Sequence, residues 1–202
     1  MATVLYGENP EASQVIIGLY SPQAGSGKSE AAYALINSAK FSRVRLAGAL
    51  KEMLGALLYS MGFRGDALRE MVDGRLKDTK IAALYGKSPR DLMISLGLKW
   101  GRGMVADTLW LDTARRALNA VTGAGASAVV DDIRFPNEAQ MIRDMGGYLV
   151  KIERPSPSRD GGKEAEGQLG GWGFDAVITN DGTLEEFKRK VAALPQRLRR
   201  PD

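Results

Sequence analysis

An apolar run, Val15-Ile16-Ile17-Gly18-Leu19-Tyr20, passes through Ser21-Pro22-Gln23-Ala24-Gly25-Ser26-Gly27-Lys28-Ser29 into the helix-forming Glu30-Ala31-Ala32-Tyr33-Ala34-Leu35-Ile36. A strand, a glycine-rich turn and a helix in that order form the setting of a phosphate-binding loop. Small side chains let successive backbone N–H groups converge on phosphate oxygens, and the helix N-terminus adds the positive end of its dipole. Lys28 then supplies a mobile cation for the outer phosphates, and the Ser29 hydroxyl a ligand for Mg²⁺. The pattern G-x-x-x-x-G-K-[ST] has Pro22 where its first glycine belongs. Proline fixes φ and has no N–H, so that end of the loop takes another course. The competing reading is an ordinary β-to-α turn with a surface lysine.

The chain of 202 residues contains no cysteine and no histidine. Disulfides, thiolate or imidazole zinc sites, and Ser-His-Asp or Cys-His catalysis are therefore excluded. Lys, Arg, Asp, Glu and a bound metal remain to do any chemistry. The length predicts a single domain over 1–202. Met1 to Ser13 lack a basic-then-apolar signal and no apolar run approaches a membrane span, so the expectation is a cytoplasmic protein with no membrane partner. A net charge of +4 favours an anionic ligand, either at a phosphate site or on a nucleic-acid surface.

Beyond the turn, the spacing predicts a helix over 46–58 with a stripe of Leu50, Met53, Leu54, Leu57 and Met61, then a short helix capped by Asp66 and running to Met71. Ser88-Pro89-Arg90-Asp91 opens a helix that Gly97 is expected to stop, with Lys99-Trp100-Gly101-Arg102-Gly103 as a loop after it. Helical periodicity returns over Leu109–Val121. Short strands are expected at 126–132, ending in the acidic pair, and at 148–152 and 176–179, with helices from Pro136 and from the capping box Thr183-Leu184-Glu185-Glu186. Leu184, Phe187, Val191 and Leu194 are read as one face of the last helix. Apolar strands alternating with helices predict a three-layer α/β/α fold with a parallel sheet. The connection Glu153–Gly171 is long and rich in glycine, proline and charge, which suits a functional loop. Arg197-Leu198-Arg199-Arg200 reads as a solvated basic end rather than a nucleic-acid contact.

Several stretches in chain order resemble the phage deoxynucleoside monophosphate kinases, P-loop kinases related to adenylate kinase and dephospho-CoA kinase. They are Ala24-Gly25-Ser26-Gly27-Lys28-Ser29, Ala49-Leu50-Lys51, Ser88-Pro89-Arg90 with Leu96-Gly97, Trp100-Gly101-Arg102, Asp132-Ile133-Arg134-Phe135-Pro136-Asn137-Glu138, Ile152-Glu153-Arg154, and Asn180-Asp181-Gly182-Thr183-Leu184-Glu185-Glu186. The resemblance implies a P-loop NTPase fold with an acceptor-binding helical region at about 46–122 and a small lid insertion at about 153–173. It also implies ATP- and Mg²⁺-dependent phosphorylation of deoxynucleoside monophosphates to diphosphates. Where such lids often carry a His-x-Ser-Glu-like stretch, this chain has Lys163-Glu164-Ala165-Glu166, and only Glu166 carries over, as a substrate contact. A dephospho-CoA kinase-like enzyme and a non-catalytic nucleotide- or nucleic-acid-binding protein are the alternatives. A homodimer stays open, and a phage origin would place the protein in the host cytoplasm.

Transfer between two phosphates needs positioning and positive charge but no general base, because the acceptor oxygen is already anionic. Gly25, Ser26, Gly27, Lys28 and Ser29 are expected to hold the ATP phosphates, and the resemblance adds Asn180 at the donor base. For the acid that would join Ser29 at Mg²⁺, hydrophobic spacing favours Asp131, the first acid after the apolar run, whereas the resemblance favours Asp132, which is taken as first choice with Asp131 second. Arg134, after a strand end, and Arg154, beside the long connection, are expected to join Lys28 and Asp132 as catalytic groups. Lys51, Arg90, Trp100 and Arg102 are candidate acceptor contacts. For Trp100 the alternative is a loop anchor, and for Lys51 a solvated helix flank.

Overall fold

The computed structural model describes residues 14–23, 25–39, 41–155 and 169–198. Among them lie the strands β1 (Ile16–Tyr20), β2 (Phe41–Val44), β3 (Ser127–Val130), β4 (Tyr148–Glu153) and β5 (Ala176–Thr179). The helices are α1 (Lys28–Ala39), α2 (Gly48–Ser60), α3 (Gly65–Val72), α4 (Pro89–Ile94), α5 (Leu109–Gly123), α6 (Pro136–Asp144), α7 (Leu184–Ala192) and α8 (Leu194–Leu198). The strands form one sheet in the order β2-β3-β1-β4-β5, and every pairing is parallel.

Strand alternation sorts the apolar side chains into two layers. Ile17, Leu19, Val129 and Val150 belong to a core with Ala31 and Leu35 of α1 and Phe187 and Val191 of α7. Ile16, Tyr20, Val130 and Leu149 belong to another with Leu118 of α5 and Ile142 of α6. Burial on both faces is why β1 is apolar throughout and β3 nearly so, and the expected three-layer α/β/α architecture follows from it. A smaller cluster of Leu54, Leu58, Met71 and Leu84 holds α2 and α3 together away from the sheet.

Four expectations are corrected. First, the reading along the chain omits β2, whose Phe41-Ser42-Arg43-Val44 is short and half polar because it forms the sheet edge beside β3. Second, Asp66 lies in the first turn of α3 and bonds Arg69, while the extended Arg64 takes the cap position. Third, Leu184 is half exposed and Leu194 belongs to α8, so the apolar face of α7 is narrower than expected.

Fourth, the segment after α4 neither stops at Gly97 nor becomes a loop. It continues as a π-helix over Ser95–Val105, closed by the bond from Ala106 N–H to Gly101 O at 3.0 Å. Trp110 of α5 explains the continuation. Its indole Nε1 donates to Gly97 O at 2.9 Å, and a Cβ at Gly101 would come within 2.4 Å of the same ring. Both glycines therefore serve as backbone surfaces for one tryptophan. The reciprocal caps Ser88–Asp91 and Thr183–Glu186 form as the sequence predicts.

Candidate active site

The strand order runs outward from β1 in both directions, through β3 to β2 and through β4 to β5. Such a reversal opens a crevice beyond the carboxyl ends of the strands, where open α/β sheets bind ligands. The turn after β1, the acidic pair after β3, Arg154 after β4 and Asn180 after β5 all emerge at these ends.

Gly25 and Gly27 sit at φ +70° and +108°, a range that L side chains avoid. The turn is tied from two sides: Asn180 Nδ2 donates to Ser26 O at 2.8 Å, and Arg154 Nη1 donates to Gly25 O at 3.1 Å. Lys28 Nζ donates to Gln23 O at 3.4 Å, so the lysine lies along the turn. Gly25 to Ser29, Arg154, Asn180 and Phe187 line a cavity of about 410 Å³. The Ser26 hydroxyl is buried with no hydrogen-bond partner among the described residues. A buried hydroxyl normally has a partner, so a polar ligand group at this turn would complete it. A Cβ at Gly27 would stand 2.8 Å from Asn180 Nδ2 and 3.2 Å from Phe187 Cε1. The bare backbone is thus what lets Asn180 and Phe187 close on the turn.

The two aspartates separate by strand parity. Asp131 follows Val129 onto the α1 face of the sheet, and Asp132 follows Val130 onto the other. Asp131 is buried; its Oδ2 accepts from Ser29 Oγ at 3.5 Å, and its Oδ1 from Arg43 Nε at 2.9 Å. Arg43 Nη2 makes a second bond to the same carboxylate. Asp132 instead accepts from the N–H groups of Leu46 and Ala47 at 2.9 and 3.1 Å, ahead of α2. Burial pushes its pKa up against those two bonds. The first choice for partnering Ser29 therefore faces elsewhere, and the second choice is the one beside it.

Among the described residues no group of three or more His, Cys, Asp or Glu side chains could hold a metal. Ser29 and Asp131 still fit Mg²⁺, which usually takes one or two protein oxygens and fills its octahedron with phosphates and water.

Glu138, buried in α6, organises the next segment. Its Oε2 accepts from the N–H groups of Arg134 and Phe135 at 2.7 and 3.0 Å, and Arg102 Nη2 lies 3.5 Å from its Oε1. Burial raises the Glu138 pKa despite those N–H bonds and Arg102. The Arg102 guanidinium also covers the Phe135 ring at 4.9 Å, and the exposed Arg134 sits on the turn that Glu138 holds. Trp100 packs at a tilt on Trp110, with ring centres 6.3 Å apart, and keeps 38% of its surface exposed. Arg90 is paired with Asp78.

Arg43, Arg45, Lys51 and Asp73 line a second cavity of about 840 Å³. Arg45 Nη1 lies 2.9 Å from Asp73, and Lys51 bonds the other oxygen of that carboxylate. Burial raises the Asp73 pKa, but Lys51 and Arg45 more than offset it, so the carboxyl lies below its ordinary value.

The structure thus gathers Gly25 to Ser29, Arg154 and Asn180 at one cavity and places Lys51 at another. Arg102 and Arg134 meet at Glu138, and Arg90 stands apart. Glu166 and the stretch 156–168 of the expected lid, with Arg159, lie outside the described residues, as do Ala24, Arg199 and Arg200. Arg43, Arg45 and Asp73 were not among the expected site residues. Arg43 and Asp131 meet only because β2 pairs with β3, a partnership that neither segment announces alone.

A parallel sheet whose first strand enters a glycine-rich turn, with cations at the adjoining strand ends, defines a class of anion-binding α/β proteins. The family model for deoxynucleotide monophosphate kinase matches residues 76–191, and the chain belongs to that family. A protein of Acanthamoeba polyphaga mimivirus, provisionally named a deoxynucleotide monophosphate kinase, is 28% identical over 193 residues, covering 88% of this chain and 94% of its own. Among solved structures, the APS kinase CysC of Mycobacterium tuberculosis (a Cys556Ala mutant) aligns with a TM-score of 0.45 at 14% identity, covering 91% of this chain and 98% of its own. The dephospho-CoA kinase of Campylobacter jejuni aligns at 0.38 and 14%, covering 92% and 97%. Likenesses this distant carry no functional weight. No helix among the described residues is long and apolar enough to cross a membrane.

Proposed function

We propose that the chain moves the terminal phosphoryl group of ATP onto a deoxynucleoside monophosphate, giving the diphosphate. The observation that carries this reading is the β1–α1 turn, closed by Asn180 and Arg154 around a buried Ser26 hydroxyl that has no partner among the described residues. In this reading the amides of Gly25 to Ser29 and the Lys28 ammonium hold the outer phosphates of the donor. Ser29 and Asp131 would hold Mg²⁺, and Asn180 shapes the donor end of the cavity. When bound, the metal would supply positive charge at the phosphate oxygens.

Arg154 stands beside the turn and Arg134 at the next strand end, where their guanidinium groups neutralise charge that builds on the transferred group. Arg45 and Lys51 receive the acceptor phosphate in the second cavity, displacing Asp73 as their anion. Arg102 at Glu138 and the half-exposed Trp100 on Trp110 offer a further cation and a flat apolar face for the acceptor. No side chain needs to remove a proton from the acceptor, which suits a chain without histidine.

The test is ADP formation with ATP and Mg²⁺ against a panel of deoxynucleoside monophosphates, ribonucleoside monophosphates and dephospho-CoA. Turnover with at least one deoxynucleoside monophosphate is expected. ADP formed only with dephospho-CoA, or with no acceptor, refutes the proposal.

A further inference from the structure

Arg43 has no place in the reaction just described, yet it occupies the carboxylate that reaction assigns to the metal. In the sheet it lies opposite Val129, two residues before Asp131, so it shares the α1 face with Asp131 and Ser29. Its guanidinium grips Asp131 through two nitrogens and lies 5.5 Å from the Tyr33 ring of α1. The Asp131 side chain is 3% exposed and that of Arg43 19%. A carboxylate so withdrawn from water is costly to leave without a charged or hydrogen-bonding partner. Ser29 Oγ reaches the same Oδ2 that Arg43 Nη2 bonds. A divalent ion held by Ser29 and Asp131 would therefore meet the guanidinium at close range, and two cations on one carboxylate repel.

We propose that Arg43 is an exchangeable counter-ion: it neutralises Asp131 until Mg²⁺ arrives, then yields that oxygen to the metal. The inference rests on the Ser29–Asp131 reading above and makes Arg43 a positioning residue.

The experiment measures Mn²⁺ affinity by water-proton relaxation, with the metal alone and the full chain, alongside the Tm with and without Mn²⁺. Arg43→Met should bind Mn²⁺ about tenfold more tightly than the parent chain, since a charged hydrogen-bonded competitor is gone. Its Tm should fall without metal and recover more than the parent's when metal is added. Arg43→Lys keeps the charge without the two-pronged grip and should bind with intermediate affinity. Should Arg43→Met fail to fold, Arg43→Lys alone decides: tighter Mn²⁺ binding supports the exchange and unchanged binding overturns it. Asp131→Asn should lose the Mn²⁺ site. If it does while the Arg43 variants match the parent, the exchange is refuted and the metal site stands. If Asp131→Asn binds Mn²⁺ as the parent does, the Ser29–Asp131 reading is refuted as well.

Discussion

A methyl group added at Gly27 tests the turn from both the stability and the binding side. At φ +108° an alanine is strained, at a cost of roughly 1–2 kcal/mol. Its Cβ would also press on two neighbours, Asn180 Nδ2 at 2.8 Å and Phe187 Cε1 at 3.2 Å. Phe187 is 1% exposed and packed against α1, so its ring has nowhere to retreat. Asn180 can retreat only by releasing Ser26 O, a loss of about 1 kcal/mol. Together these give about 2–4 kcal/mol, which in a chain of this size lowers Tm by roughly 5–15 °C. Thermal unfolding followed by circular dichroism reads the stability effect, and calorimetric titration with ATP and Mg²⁺ below the lowered Tm reads binding. Gly27→Ala should show both a lower Tm and weaker ATP uptake. An unchanged Tm would refute the contact geometry, and a lowered Tm with full ATP affinity would refute the turn as the donor site.

Lys28→Ala should lower kcat/KM by about 10²–10³-fold while Tm stays within about 2 °C of the parent, because the side chain lies along a ligand cavity; retained activity removes the lysine from the site. Asp131→Asn should raise the Mg²⁺ concentration needed for half-maximal turnover. Asp132→Ala should instead cost about 1–3 kcal/mol of stability by leaving two N–H groups without an acceptor, and the opposite pattern would return Asp132 to the metal. Glu138 supplies a pH test. Burial raises its pKa above the ordinary 4.5, so between those two values the folded chain binds more protons than the unfolded one, and stability falls as pH rises. Glu138→Gln removes that share and should flatten the decline of Tm with pH above 4.5, with Asp132 supplying a residual slope of the same sign; equal slopes in the two proteins would refute the assignment.

Most of the layered fold was legible because its signals are local. Ser88–Asp91 and Thr183–Glu186 form reciprocal caps within four residues, and the buried strands announce themselves as short apolar runs. What escaped depends on partners far along the chain. The end of α4 runs on into a π-helix because Trp110 bonds Gly97, thirteen residues away, which no rule for a glycine stop anticipates. Asp131 and Asp132 look equivalent as adjacent acids, yet the alternation of β3 sends them to opposite faces. Spacing alone pointed to Asp131, and the resemblance pointed to its neighbour. The segment Phe41–Val44 becomes a strand only because β3 lies beside it, and Arg43 acquires meaning through the same pairing.

The bond from Asn180 to Ser26 joins positions 154 residues apart. A ribosome releases the glycine-rich segment long before it makes the asparagine, so a nascent chain holds that segment without its far wall. On the proposed reading of that turn, nucleotide is gripped firmly only after β5 has docked on β4.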